Sequence, residues 1–205
     1  MSADLTIIMP LRNCWDTMGI ALKALGRAVR GIPIKLLMME NESTDMTGDI
    51  CRSERLSPVM VGLGLTNYEV LPTQPCSNAI KHHQRMYENL TLAWDIFIAK
   101  VDTPLLMRLN GDVGVSHNSI NLMLAGMKAD AKLGAYGVDY PRVPGGKVGH
   151  DHLSTGCTMY RTEALKSLGP IGYDDRCDCR WINRELRARG WTVDTVPMAF
   201  AKHIG

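Results

Sequence analysis

Three polar clusters in this chain each follow directly on an apolar run. The richest is Glu40-Asn41-Glu42-Ser43-Thr44-Asp45, behind the run Ile34 to Met39. Its carboxylates, amide and hydroxyls can hydrogen-bond a nucleobase imide or ribose hydroxyls. The same residue types also cap helices. The second cluster is Asn110-Gly111-Asp112, behind Leu105 to Leu109. A carboxylate there suits a hard divalent cation, which takes few protein carboxylates and fills its shell with water and phosphate oxygens. Asn-Gly is equally a favoured turn dipeptide. The third is Pro10-Leu11-Arg12-Asn13, at the end of the run Leu5 to Met9. An asparagine at that point can bridge loop backbones or touch a base.

These clusters need a frame. Met18, Leu22, Leu25 and Val29 recur at i, i+4, i+7 and i+11, one face of a helix, with Gly31 beyond its end. Short strands are expected at Ile34 to Met39, Tyr68 to Leu71, Leu105 to Leu109 and Ala135 to Val138. Helices are expected through Ile80, His83, Tyr87, Leu90, Trp94 and Phe97, and through Ile120, Met123, Leu124 and Met127. Alternation of this kind predicts a mostly parallel central sheet with helices on both faces, and ligands beyond the carboxyl ends of its strands. Further on, Pro141 to Asp151 reads as a loop, Ser154 to Tyr160 as a strand, Thr162 to Leu168 as a short helix and Asp178 to Arg189 as a helix stopped by Gly190. Val193 to Val196 reads as a last strand, with Ala199 to Gly205 as a tail.

Composition sets outer bounds. A chain of 205 residues, 45% apolar and 21% charged, is expected to fold as one domain around a sizeable core. A net charge of +2 excludes a strongly cationic nucleic-acid coat. No apolar stretch is long enough for a membrane span, and no signal peptide is visible at the start. With six scattered cysteines, the expectation is a cytoplasmic protein with free thiols.

Taken in order, strand-Pro-x-x-Asn, strand-Glu-Asn-x-Ser-Thr-Asp and strand-x-Gly-Asp resemble the family 2 glycosyltransferases of the GT-A fold. Thr155-Gly156-Cys157-Thr158-Met159-Tyr160-Arg161-Thr162-Glu163-Ala164-Leu165 and Leu168-Gly169-Pro170-Ile171-Gly172-Tyr173-Asp174 look like the family's acceptor-side strand, short helix and turn. Asp178 resembles the Asp of its Glu-Asp helix, and Lys202-His203 its late metal-binding histidine. The resemblance runs from Thr6 to His203. This sequence departs from the family in Glu40 for Asp, Asn110 for the first Asp of the metal motif, Cys177 for Glu, and Asp95 near a common Asn. The resemblance implies a single GT-A domain, with 1–113 binding a nucleotide sugar and 114–205 serving the acceptor and catalysis.

Transfer of a sugar from a UDP- or GDP-type donor to a hydroxyl acceptor, with inversion, is what the resemblance implies. Donor contacts would come from Pro10, Arg12, Asn13, Glu40, Asn41, Ser43, Asp45, Asn110, Gly111 and Gly156. Asp112 and His203 would hold Mn²⁺, or Mg²⁺, with Asn110 through water. Asp178, or secondly Asp175, would act as general base. The acceptor is expected to be soluble: a carbohydrate, a protein side chain or a hydroxylated DNA base. A non-catalytic nucleotide-sugar-binding module is the alternative. A nucleotidyltransferase ranks low, because no glycine-rich loop follows the first strand. His150-Asp151-His152 and Cys177-Asp178-Cys179 have one-residue spacings, which suit structural zinc poorly. Lys81-His82-His83-Gln84-Arg85 reads as a solvated helix face or a phosphate or nucleic-acid patch. Arg161 is expected to reach a phosphate or to pair with Glu163.

Overall fold

The computed structural model describes residues 3–71, 93–138, 153–172 and 177–204. The first part runs β1 (Leu5–Leu11), α1 (Trp15–Ala28), β2 (Ile34–Glu40), α2 (Thr47–Arg52), α3 (Leu56–Gly62) and β3 (Tyr68–Leu71). A helix described over 93–100 is α4. Then come β4 (Leu105–Leu109), β5 (Val113–Val115), α5 (Ser119–Ala129) and β6 (Leu133–Gly137). β7 (Cys157–Arg161), α6 (Thr162–Lys166), α7 (Asp178–Ala188), β8 (Thr192–Thr195) and β9 (Ala201–His203) complete the order.

A seven-stranded sheet has the order β3-β2-β1-β4-β7-β6-β8. Pairing is parallel except where β7 meets β4 and β6, so β7 alone runs against the other strands of this sheet. Period-two alternation sorts its side chains. Leu5, Ile7, Met9, Leu36, Met38, Met107 and Leu109 face a core shared with α1, α2, α3 and α5. Ile8, Leu37, Met39 and Leu106 face a second core with Trp94 and Phe97 of α4, and with α6 and α7. Apolar runs without alternating polarity are therefore strands covered on both sides, as expected for parallel strands.

Some expectations change. β1 continues through Pro10 instead of stopping there. Leu11 O accepts the Asn41 amide on the β2 side, so the Pro10 nitrogen faces β4, and β1–β4 pairing has already ended at Ile8↔Arg108. No ladder bond is lost by the missing donor. The tail is not a tail: Ala201–His203 forms β9, antiparallel to β5, with Val113 opposite His203. Among the described residues, no helix is long and apolar enough to cross a membrane.

Candidate active site

At the carboxyl ends of β1 and β2 the two loops are stitched together. Asn13 donates its amide to Ser43 Oγ at 3.1 Å, and its Oδ1 accepts the Thr44 amide at 2.8 Å. Asn13 and Glu42 both have positive φ, at 45° and 51°, a region asparagine tolerates through local hydrogen bonding. Asp45 accepts the Thr47 amide at 2.9 Å and the Trp15 amide at 3.1 Å, so one carboxylate starts α2 and satisfies a free donor of α1. Although desolvation opposes it, these hydrogen bonds hold Asp45 below its usual pKa. Asn13 thus bridges backbones, one of its two expected roles, and Asp45 ties the first residue of α1 to that of α2.

The expected base contact at Glu40 meets a carboxylate already engaged. Glu40 is buried, accepts the Ser43 amide, and pairs with Arg52 Nη1 at 3.1 Å. Asn41 is buried beside it, while Arg12 and Asn13 are exposed at the loop tip and Pro10 is half-buried.

The turn after β4 carries the metal candidates. Gly111 lies against β1: a Cβ there would stand 2.5 Å from Leu11 Cδ2 and 3.0 Å from Cys14 Sγ. Only glycine lets this turn approach so closely. Beyond it, Val113 pairs with His203, and the Ile204 amide donates to Asp112 O at 2.8 Å. This register brings His203 Nε2 to 2.9 Å from Asp112 Oδ2, each side chain about a third exposed (35% and 34%). Two adjacent ligands on an octahedral ion with bonds of ~2.1 Å stand about 3 Å apart, so the spacing fits a shared divalent cation. Asn110 Oδ1, on the same turn, is buried with no hydrogen-bond partner among the described residues. One carboxylate and one imidazole form a donor pair suited to Mn²⁺, with nitrogen less welcome to Mg²⁺. Among the described residues no three His, Cys, Asp or Glu side chains gather in one place. Such sparse protein ligation is usual for an ion that also takes substrate phosphates.

The second half joins this turn through Gly156, whose carbonyl accepts the Asn110 amide at 3.0 Å. Next to it, Thr155 Oγ1 lies 3.5 Å from Asp178 Oδ2. Asp178 opens α7 and is buried. Its Oδ2 also accepts Trp94 Nε1 at 2.8 Å and pairs with Arg108 Nη1, while Oδ1 accepts the Cys179 amide at 2.9 Å. Desolvation by itself would raise its pKa. The Arg108 charge and the hydrogen bonds from Trp94, Arg108 and Cys179 outweigh burial and lower it.

Asp175 lies outside the described residues, as do His150, His152 and the segment 81–85. Cys177 and Cys179 Sγ atoms are 2.8 Å apart, and Cys177 Sγ accepts the Arg180 amide as the cap of α7. Burial pushes Cys14 up to about 11, and Cys51 and Cys157 up to about 12. These three thiols are protonated at neutral pH and are not nucleophiles. Arg161 is held by backbone carbonyls rather than by Glu163. It donates to the carbonyls of Met127, Asp130 and Leu133, closing the end of α5. The partnership of Arg108 and Trp94 with Asp178 escaped the sequence reading. Its signal was an arginine inside an otherwise apolar strand, since a buried cation requires a partner.

No protein-family model and no curated protein sequence matches the chain. Solved structures do. The mannosyltransferase PcManGT from Pyrobaculum calidifontis, solved with GDP-Man and Mn²⁺, aligns with a TM-score of 0.72 at 14% identity, over 97% of this chain and 56% of that one. TarS from S. aureus aligns with a TM-score of 0.62 at 14% identity, over 89% of this chain and 33% of that one. TarS 1–349 with UDP-GlcNAc gives 0.61 at 13% identity, over 89% and 52%. The chain thus spans between a third and rather more than half of these proteins. At such identity the likeness is one of fold: the mixed α/β GT-A fold of nucleotide-sugar glycosyltransferases.

Proposed function

We propose that this chain is a metal-dependent, inverting glycosyltransferase that moves a sugar from a nucleoside-diphosphate donor to a hydroxyl acceptor. The observation that carries the reading is the 2.9 Å approach of His203 Nε2 to Asp112 Oδ2, at the strand ends where open α/β sheets bind ligands. The solved neighbours with UDP, UDP-GlcNAc and GDP-Man support the donor class. In this reading the stitched loops of β1 and β2 form the nucleotide floor, with Arg12 and Asn13 exposed at its edge and Glu40, Ser43 and Asp45 holding its shape. Asn110, Gly111 and Gly156 flank the diphosphate. Asp112 and His203 would hold Mn²⁺, which when bound supplies positive charge to the departing diphosphate.

The acceptor oxygen attacks C1 from the face opposite the diphosphate. The O–C1 bond forms as the C1–O bond to phosphate breaks, and its electron pair leaves with the nucleoside diphosphate. The hydroxyl proton passes to a carboxylate, for which Asp178 is the described candidate and Asp175 the second. A single displacement inverts the anomeric centre. General base assistance contributes about 10²–10⁴-fold.

A melting-temperature screen of UDP- and GDP-sugars, with and without Mn²⁺, tests the donor. A ligand selective for the folded state raises apparent stability by mass action. A UDP- or GDP-sugar is expected to stabilise the chain only with Mn²⁺, and nucleoside diphosphate is expected to be released. Stabilisation without release indicates a binding module. No response to any donor overturns the reading. Release accelerated by a carbohydrate or by hydroxylated DNA identifies the acceptor class.

A further inference from the structure

Arg108 occupies the middle of an otherwise apolar strand, Leu105-Leu106-Met107-Arg108-Leu109. Its alternation places it on the face of Leu106, toward the core of α4, α6 and α7. A guanidinium there needs its charge matched. The partner is Asp178, and the paired side chains are only 4% and 5% exposed. The Arg108 guanidinium carbon stands 5.0 Å from the Trp94 ring centroid, a cation–π arrangement. Trp94 Nε1 donates to the same carboxylate oxygen that Arg108 engages, and the Cys179 amide holds the other. The carboxylate is therefore fixed in rotation from α4, from β4 and from its own helix.

Stability alone is a poor reason for this arrangement. Well-packed apolar side chains in place of a buried ion pair are often neutral or stabilising. Arg108 Nε also has no hydrogen-bond partner among the described residues. What the pair does supply is a carboxylate with a set direction and a set charge, tied through Thr155 and Gly156 to the Asn110 turn. A fixed orientation and an ionised state are two of the things a general base needs.

We propose that Arg108 is a positioning residue for the transfer reaction, holding Asp178 in the orientation and charge state in which it takes the acceptor proton. The proposal rests on Asp178 being the base in the function proposed above. The other titratable groups facing this carboxylate are the Tyr160 hydroxyl on β7 and the thiols of Cys177 and Cys179 at the start of α7. Among the described residues, the cation facing it is Arg108. Loss of that cation removes the largest influence holding the pKa down, so the base protonates at higher pH.

The test follows nucleoside diphosphate release against pH, with whichever of UDP-GlcNAc or GDP-mannose the unsubstituted chain hydrolyses in Mn²⁺. Donor KM and melting temperature are recorded in parallel. Arg108→Met is expected to move the acid limb of kcat upward by about 1–3 units, with donor KM unchanged. Arg108→Lys keeps a charge but loses the guanidinium fork. It is expected to leave the limb within about half a unit and to lower the plateau about tenfold. An unmoved limb in Arg108→Met, with activity tracking the folded fraction, overturns the proposal. If that variant does not fold, Arg108→Lys decides, and a wild-type plateau overturns it. Absence of release by the unsubstituted chain removes the proposed function itself and this inference with it, whereas release with an unmoved limb removes only the role of Arg108.

Discussion

Asp112→Ala is expected to lower Mn²⁺-dependent nucleoside diphosphate release by about 10³-fold or more, and to abolish stabilisation by donor and metal together. The physical reason is the leaving group. In the proposed transfer the diphosphate would gain charge as the C1–O bond breaks, and a bound cation would stabilise it. The turn Asn110-Gly111-Asp112 offers one carboxylate, that of Asp112. Loss of several kcal/mol of charge stabilisation at the transition state corresponds to three or more decades in rate. The fold is expected to survive, because the Asp112 side chain is a third exposed while its backbone carbonyl, which anchors Ile204, is untouched. Release rates and melting curves with and without Mn²⁺ check this. A variant that keeps its rate and its metal-dependent shift contradicts the assignment.

Asp178→Asn has the largest expected effect on stability. Removing one partner of a buried ion pair leaves the other charge uncompensated and costs about 3–5 kcal/mol. For a chain of this size that lowers Tm by about 10 °C. The effect has a pH signature. The folded-state pKa of Asp178 is below its unfolded value. Its contribution is therefore fully present above the ordinary carboxylate pKa of about 3.9, and is lost as pH falls through the lower folded value. The Tm difference between wild type and Asp178→Asn should be constant near neutrality and shrink in strong acid. The double variant Arg108→Met/Asp178→Leu should recover most of the lost stability, because no buried charge remains, while transfer stays absent. In Asp178→Asn, donor-dependent stabilisation should persist and transfer should be lost. Calorimetry across pH and a product assay separate the two roles. Intact transfer means that the base lies elsewhere, with Asp175 next to be tested.

The repeated strand-helix pattern was legible because β1, β2 and β4 are covered on both faces. Leu105–Leu109 and Tyr68–Leu71 read as strands with the bounds they have. The turn of Asn110-Gly111-Asp112 was legible for the same reason, since ligands in such sheets follow apolar runs. What escaped was short or long-range. Val113–Val115 and Ala201–His203 are three residues each, include a glycine and a lysine, and become strands only by pairing with one another. α2 and α3 carry glycine or proline and lack a long apolar period. The loops after β1 and β2 showed polar groups without showing their mutual bonding across some thirty residues. Local spacing says nothing about which distant donor a carboxylate meets. Asp178 therefore read as a candidate base without its partners Arg108 and Trp94.

Mn²⁺ titration followed by electron paramagnetic resonance, in the presence of the nucleoside diphosphate that stabilises the chain, addresses the shared ion most directly. The unsubstituted chain should remove one Mn²⁺ per molecule from the free-ion signal. Asp112→Ala should remove none and His203→Ala should bind much more weakly. Equal Mn²⁺ binding by all three proteins would contradict joint ligation by these two side chains.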